Sequence, residues 1–119
     1  MNKVSVSIPG GNGRMGKTLL RLILEDKKYE IANVTCLPNE KEVGIDIGLF
    51  AGSGIINKEI KSDPMSLFQN SDVLIDFTVP EATMFHAKQC YNNNVPIVIG
   101  TTGLSGTQEK ELLTLSKKI

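Results

Sequence analysis

The chain has 119 residues, with 13 basic and 13 acidic side chains that cancel to a formal charge of zero. That length fits one domain, and no stretch gathers Lys and Arg on one face, so neither nucleic acid nor an anionic membrane is an expected partner. The two cysteines, Cys36 and Cys90, stand far apart and outside any Cys-x-x-Cys spacing. They read as free thiols in a reducing compartment, not a disulfide framework or a zinc site. The apolar run at the start is too short for a membrane span and has no cleavage pattern, which points to the cytoplasm.

In chain order, "KVSVSI" alternates Val4, Val6 and Ile8 with polar residues, a strand pattern. "PGGNGRMG" follows, with Gly10, Gly13 and Gly16 at a spacing of three, and then Met15, Leu19, Leu22 and Ile23 at helical spacing as a core-facing stripe. "YEIANVTCL" reads as a second strand, stopped by Pro38 and Asn39, so a first β-α-β unit closes by about residue 37. Residues 38–62 show no sustained period and are expected to be loop, with one short strand near 56–60. Asp63 and Pro64 open a short helix. "SDVLIDF" is a nearly unbroken apolar run of the kind buried on both faces in parallel sheets. Thr78 and Glu81 have capping-box spacing around Pro80, predicting a helix from about 79 to 93. "VPIVIG" is a further buried strand. Ser105 and Gln108 form another capping box before a helix whose stripe is Leu112, Leu115 and Ile119.

Strands that alternate with helices predict an α/β fold: a Rossmann-like, doubly wound parallel sheet covered by helices on both faces. In such sheets ligands bind beyond the carboxyl ends of the strands, where strand order reverses. Three loops converge there: the glycine loop, "DFTVPE", and "GTTG" from Gly100 to Gly103. A Gly-x-x-Gly-x-x-Gly run alone recurs by chance. Here it follows a strand and opens a helix, which favours a dinucleotide loop over a mere tight turn. Arg14 could reach a phosphate or simply be solvated. Thr101 and Thr102 could contact a nicotinamide ring or serve as ordinary strand-end residues. Pro9 removes one N–H at the start of the loop and stiffens the turn.

His86, the single histidine, has no Ser, Cys or carboxylate at an obvious relay spacing and reads as a solvated or packed helix residue, not a catalyst. Glu81 reads as a cap and Asp76 as an anchor for loop backbone. Cys90 reads as a small buried hydrophobe.

"VSIPGGNGRMGKTLL", "SDVLIDFTVPEATMFHAKQC" and "VPIVIGTTGLS", in this order, resemble the N-terminal half of bacterial dihydrodipicolinate reductases (4-hydroxy-tetrahydrodipicolinate reductases) of lysine and diaminopimelate biosynthesis. The resemblance covers almost the whole chain. It implies hydride transfer from NADH or NADPH to the cyclic imine of dihydrodipicolinate, giving tetrahydrodipicolinate, with no metal expected. The family's pyrophosphate loop matches Gly10, Gly11, Asn12, Gly13, Arg14 and Met15. Its nicotinamide-side contacts match Phe77, Thr78, Gly100, Thr101 and Thr102, with Thr102 also near the substrate.

Two departures stand out. Where many members end the second strand with an acid and then a base, against the adenosine ribose and the 2′-phosphate of NADPH, this chain has Cys36 and Leu37. Discrimination against NADPH is thereby removed and none for it is added, with Lys41 a conceivable substitute. The family's His-His-x-x-Lys and Asp-Ala-Pro-Ser-Gly-Thr segments do not occur in these residues, so its proton-donating histidine and carboxylate-binding lysine are expected beyond Ile119. The chain is therefore expected to be an N-terminal fragment, with an incomplete sheet, that binds cofactor at best. Its parent is expected to be a homotetramer assembled through a C-terminal domain. A non-catalytic nucleotide-binding or redox-sensing module remains the alternative. Another Rossmann enzyme, such as a homoserine or semialdehyde dehydrogenase, would have no reason to combine Asp-Phe-Thr-x-Pro-Glu with Gly-Thr-Thr-Gly.

Overall fold

Alternation of Val4, Val6 and Ile8 with serines builds strand β1 (Val4–Pro9), and the glycine loop carries the chain into helix α1 (Arg14–Glu25). The computed structural model describes residues 3–117. Beyond α1 it comprises β2 (Tyr29–Thr35), a short helix α2 (Ile47–Ala51), a 3₁₀ turn (Pro64–Phe68), β3 (Val73–Asp76), α3 (Pro80–Asn93), β4 (Ile97–Ile99) and α4 (Gly106–Ser116). The strands form one sheet in the order β2-β1-β3-β4, and every pairing is parallel. Register slips by one residue between β1 and β2 after Val6, and this directs the Asn33 amide to Ser7 Oγ (3.3 Å) and to the Gln69 carbonyl (2.8 Å). The slip thereby ties the 3₁₀ turn to the sheet.

Successive side chains of a strand point to opposite faces, and β3 divides the core accordingly. Val73 and Ile75 pack with Val6, Ile8, Leu20, Ile23 and Ile47 on the face covered by α1 and α2. Leu74 packs with Leu67, Cys90 and Val95 on the face covered by α3 and the 3₁₀ turn. Leu20, Leu67 and Leu74 are wholly buried, each stabilising the fold by about 2 kcal/mol. Helices therefore cover both faces of a parallel sheet, as the alternation of elements predicts. Both cysteines are free and buried.

Four local expectations need correction. The inner stripe of α1 is Gly16, Leu20 and Ile23, with Leu19 partly buried, whereas Met15 and Leu22 are 49% and 58% exposed. Of the expected stripe, Ile23 is buried and Leu19 partly so, but Met15 and Leu22 give way to Gly16 and Leu20, and Gly16 packs closely on the preceding loop. The Thr78–Glu81 capping box does not form. Val79 is the N-cap of α3, Pro80 takes the first helical position, and Glu81 lies in the first turn, where its charge complements the helix dipole. The expected strand near 56–60 reduces to a single bridge between Asp46 and Glu59, with a second bridge joining Thr35 to Lys61. The region instead contains α2, capped by Asp46, which accepts from Leu49 N–H at 3.1 Å, and closed by Gly52 at φ 80°. β4, expected to be a buried strand, is half-buried at Ile97 and Ile99 and 55% exposed at Val98, whereas beyond it the Ser105–Gln108 capping box is present and Leu112 and Leu115 of the expected stripe are half-buried, with Ile119 outside the described residues.

Candidate functional site

β1 has β2 on one side and β3 on the other, and the connections leave on opposite faces, so a crevice opens beyond the carboxyl ends of these strands. Its larger part is a cavity of about 470 Å³ between the ends of β2 and β3, lined by Pro9, Cys36, Leu37, Glu40, Thr78 and His86 among others. A smaller part of about 130 Å³ lies over the start of α1, against Gly13, Arg14, Met15 and Gly16. Gly10 and Phe77 line both, so the two parts adjoin.

The glycine loop turns on Gly10, whose φ of +61° a side chain would disfavour. The loop is fixed by Gly11 N–H donating to the Thr35 carbonyl (3.1 Å) and Gly13 N–H donating to the Gly10 carbonyl (3.2 Å). A Cβ on Gly16 would sit 2.5 Å from the Gly11 carbonyl oxygen, so α1 and its loop can touch only because that carbon is missing. Gly13 is different. A Cβ there would meet only the Gly10 carbonyl oxygen at 3.7 Å, an ordinary contact, so the fold itself has no need of glycine at that position. Gly13 is also the N-cap of α1 and supplies no side-chain cap, whereas Asp46, Asp63 and Ser105 cap α2, the 3₁₀ turn and α4. The first-turn N–H groups of α1 thus have no side-chain cap, and Arg14 and Met15 stand exposed beside them.

At the end of β2, Cys36 is buried, its N–H donating to the Lys61 carbonyl at 2.9 Å, and Leu37 is 66% exposed. Burial, and secondarily the charges of Glu40 and Glu42, push the Cys36 thiol above its ordinary pKa. Glu40 folds back on the strand end: its Oε1 accepts from Leu37 N–H (3.2 Å) and its Oε2 from Asn12 Nδ2 (2.8 Å). Asn12 also donates to Glu42 Oε1 at 3.2 Å, so its side chain turns toward these carboxylates.

The loops after β3 and β4 are held by a buried network. Asp76 is wholly buried. Its Oδ1 accepts from Thr78 N–H (2.8 Å) and Thr78 Oγ1 (2.6 Å), and its Oδ2 lies 2.8 Å from His86 Nδ1. Burial alone would raise the Asp76 pKa, but the bonds from His86 and Thr78, with the charge of His86, outweigh it and hold the carboxyl below its ordinary value. An ionised carboxylate only accepts, so Nδ1 of His86 carries a proton. Thr83 extends the network, with its Oγ1 3.4 Å from Thr78 Oγ1 and 2.6 Å from Thr101 Oγ1. Gly100 N–H donates to the Asp76 carbonyl at 2.7 Å, and a Cβ on Gly100 would collide with the Phe77 ring. Thr102 is exposed beyond Thr101. Cys90, which reads correctly as a small buried hydrophobe, has its thiol pushed up to about 12 by burial and then by the charge of Asp76.

Two features of the site escape a linear reading. His86 does have a carboxylate partner, because a strand ending at residue 76 and a helix starting at 80 bring the second turn of the helix over the strand end. The signal was the buried face Thr83, Ala87, Cys90, on which His86 also falls. Glu40 lies in an aperiodic segment and shows itself only through its fold-back onto Leu37 and Asn12.

A family model described as "Dihydrodipicolinate reductase, N-terminus" matches residues 4–119. The 4-hydroxy-tetrahydrodipicolinate reductase of Chelativorans sp. (strain BNC1) is 37% identical over 117 residues, 98% of this chain and 42% of that protein. One from Acinetobacter baumannii is 38% identical over 107 residues, 90% of this chain and 39% of that protein. The chain thus spans about two fifths of the length of these relatives. Among solved structures, a dipicolinate-bound dihydrodipicolinate reductase from Paenisporosarcina sp. TG-14 matches with a TM-score of 0.74 and 24% identity, over 97% of this chain and 43% of that one. An aspartate semialdehyde dehydrogenase with NADP from Candida albicans matches with a TM-score of 0.64 and 13% identity, over 85% and 30%. At these identities the structural likenesses speak for the fold. The sequence match over nearly every residue speaks for the lineage: the chain belongs to the family of dihydrodipicolinate reductase N-termini.

Proposed function

We propose that this chain is the cofactor half of a 4-hydroxy-tetrahydrodipicolinate reductase and binds NADH or NADPH in the crevice beyond β1, β2 and β3. The observation that carries this reading is the uncapped start of α1 behind the glycine loop, where the fold has no need of glycine at position 13. Such a helix terminus suits a pyrophosphate, because its N–H groups and its dipole both favour negative charge. The residues present fit the group: Gly10, Gly11, Asn12, Gly13, Arg14 and Met15 would hold the pyrophosphate, with the Arg14 guanidinium countering its charge. Cys36 and Leu37 would border the adenosine, and Phe77, Thr78, Gly100, Thr101 and Thr102 the nicotinamide. When bound, the cofactor supplies a hydride to the imine of dihydrodipicolinate.

The chain's own residues orient and shield. The network from His86 through Asp76 to Thr78 fixes the loop after β3, and Thr83 fixes Thr101 after β4. Thr102 lies at the substrate edge. His86 does not serve as the proton donor, because its ring is buried and its Nδ1 is committed to Asp76. The resemblance puts the proton donor and the substrate-carboxylate lysine outside these 119 residues. The chain is therefore expected to bind cofactor without turnover, within a longer cytoplasmic, tetrameric protein. A non-catalytic module is not favoured, since the curated relatives compared are reductases.

Titration of NADH and of NADPH into the chain, followed by nicotinamide fluorescence, tests the reading. Saturable binding of at least one nucleotide is expected, with displacement by ADP-ribose. Failure of both to bind at millimolar concentration refutes it.

A further inference from the structure

We propose that Glu40 is the residue by which this chain selects NADH over NADPH. The inference rests on the cofactor reading above and deepens it. Neither residue at the end of β2 can read a ribose in the usual way: Cys36 is buried, and Leu37 is apolar. Glu40 sits three residues beyond Leu37, yet its carboxylate is pinned back against the strand end by Leu37 N–H and against the glycine loop by Asn12 Nδ2. It lines the same 470 Å³ cavity as Cys36, Leu37 and Pro9. A carboxylate has about four acceptor sites, and these two bonds leave capacity for a ribose hydroxyl.

The charge balance of the cavity points the same way. Among its lining residues Glu40 is the single carboxylate, no lysine or arginine is present, and the one histidine is paired with Asp76. Glu42, joined to the same Asn12, adds a second negative charge behind the first. After burial, the charges of Glu40 and Glu42 also push up the Cys36 thiol in the cavity wall. A ribose 2′-hydroxyl can donate to such a group, whereas a 2′-phosphate would bring about two further negative charges against it. Lys41, the conceivable phosphate partner on sequence grounds, is exposed and does not line the cavity. Arg14 stands over the smaller pocket at the start of α1.

The test is to measure dissociation constants for NADH and NADPH by calorimetry on the wild-type chain, on Glu40→Gln and Glu40→Ala, and on Glu25→Gln. Glu25, at the far end of α1, controls for lost net charge. Glu40→Gln keeps an acceptor for Leu37 N–H, and Glu40→Ala removes the side chain's polar atoms altogether. Circular dichroism reports folding, and the wild-type ratio stands on its own if a variant fails to fold. The expected result is NADH bound about tenfold or more tighter than NADPH by wild type and Glu25→Gln, with that ratio collapsing in the Glu40 variants mainly through a gain for NADPH. Equal wild-type affinities, or a ratio unchanged by loss of the carboxylate, overturns the inference and leaves the cofactor reading standing. Binding of neither nucleotide overturns both.

Discussion

The two rims of the crevice are built on opposite plans. The β1–α1 rim is open and rich in glycine, at 10, 11, 13 and 16, with no side chain capping the helix. The β3–α3 rim is crowded, with a buried carboxylate, an imidazole and three threonine hydroxyls joined by hydrogen bonds of 2.6 to 3.4 Å. The first rim leaves the first-turn donors of α1 without a side-chain cap, while the second satisfies its own polar groups internally and so holds a shape. Substitutions on the second should therefore act mainly on stability, and one particular substitution on the first should act mainly on binding.

The largest expected effect is that of Asp76→Asn, which leaves His86 without its buried anion and weakens two bonds to Thr78. Removing one partner from such a pair costs about 3 kcal/mol, readable as a lower urea midpoint. A pH dependence accompanies it. Because the folded-state pKa of Asp76 lies below its ordinary value of 3.8, its contribution is fully present above pH 3.8 and is lost as pH falls through the lowered value. Urea titrations between pH 5 and pH 2 should show a shallower acid loss in Asp76→Asn than in wild type. An identical slope would show that the carboxylate is not held as described.

Next comes Gly16→Ala, whose added carbon overlaps the Gly11 carbonyl and is expected to destabilise the chain by about 2 kcal/mol. Ser105→Ala removes one side of the α4 capping box, costs about 1 kcal/mol and should leave NADH affinity unchanged. The smallest effect on stability is expected from Gly13→Ala, within about 1 kcal/mol, because the space beside it is open within the fold. The same variant should weaken NADH binding about tenfold, since its methyl group occupies the surface proposed for the pyrophosphate. If Gly13→Ala proves as destabilising as Gly16→Ala, the two glycines are not distinct and the contrast between the rims fails at its sharpest point.

Much of this was legible in the sequence because it depends on local rules. Alternation in "KVSVSI", the apolar run "VLID", and the Ser105–Gln108 spacing each determine their element without reference to distant residues. What was hidden depends on three-dimensional neighbours. Part of the α1 stripe was displaced because its register is set by Gly16 meeting Gly11. Thr78 had the right spacing for a cap, yet the buried Asp76 carboxylate claims its hydroxyl and its N–H. Helix α2 has only five residues, too few to show a period, although Asp46 and Gly52 marked its ends. The members of the glycine loop were legible, but not the difference between Gly13 and Gly16, which lies in the space around them.

The central claim is that the crevice beyond β1, β2 and β3 is the nucleotide site, and amide chemical-shift mapping during an NADH titration tests it most directly. The expected result is that the largest shifts fall on Gly10 to Gly16, Phe77 to Val79 and Gly100 to Thr102. Shifts confined instead to the apolar groove between α3 and α4, around Ile97, Leu112 and Leu115, would contradict it.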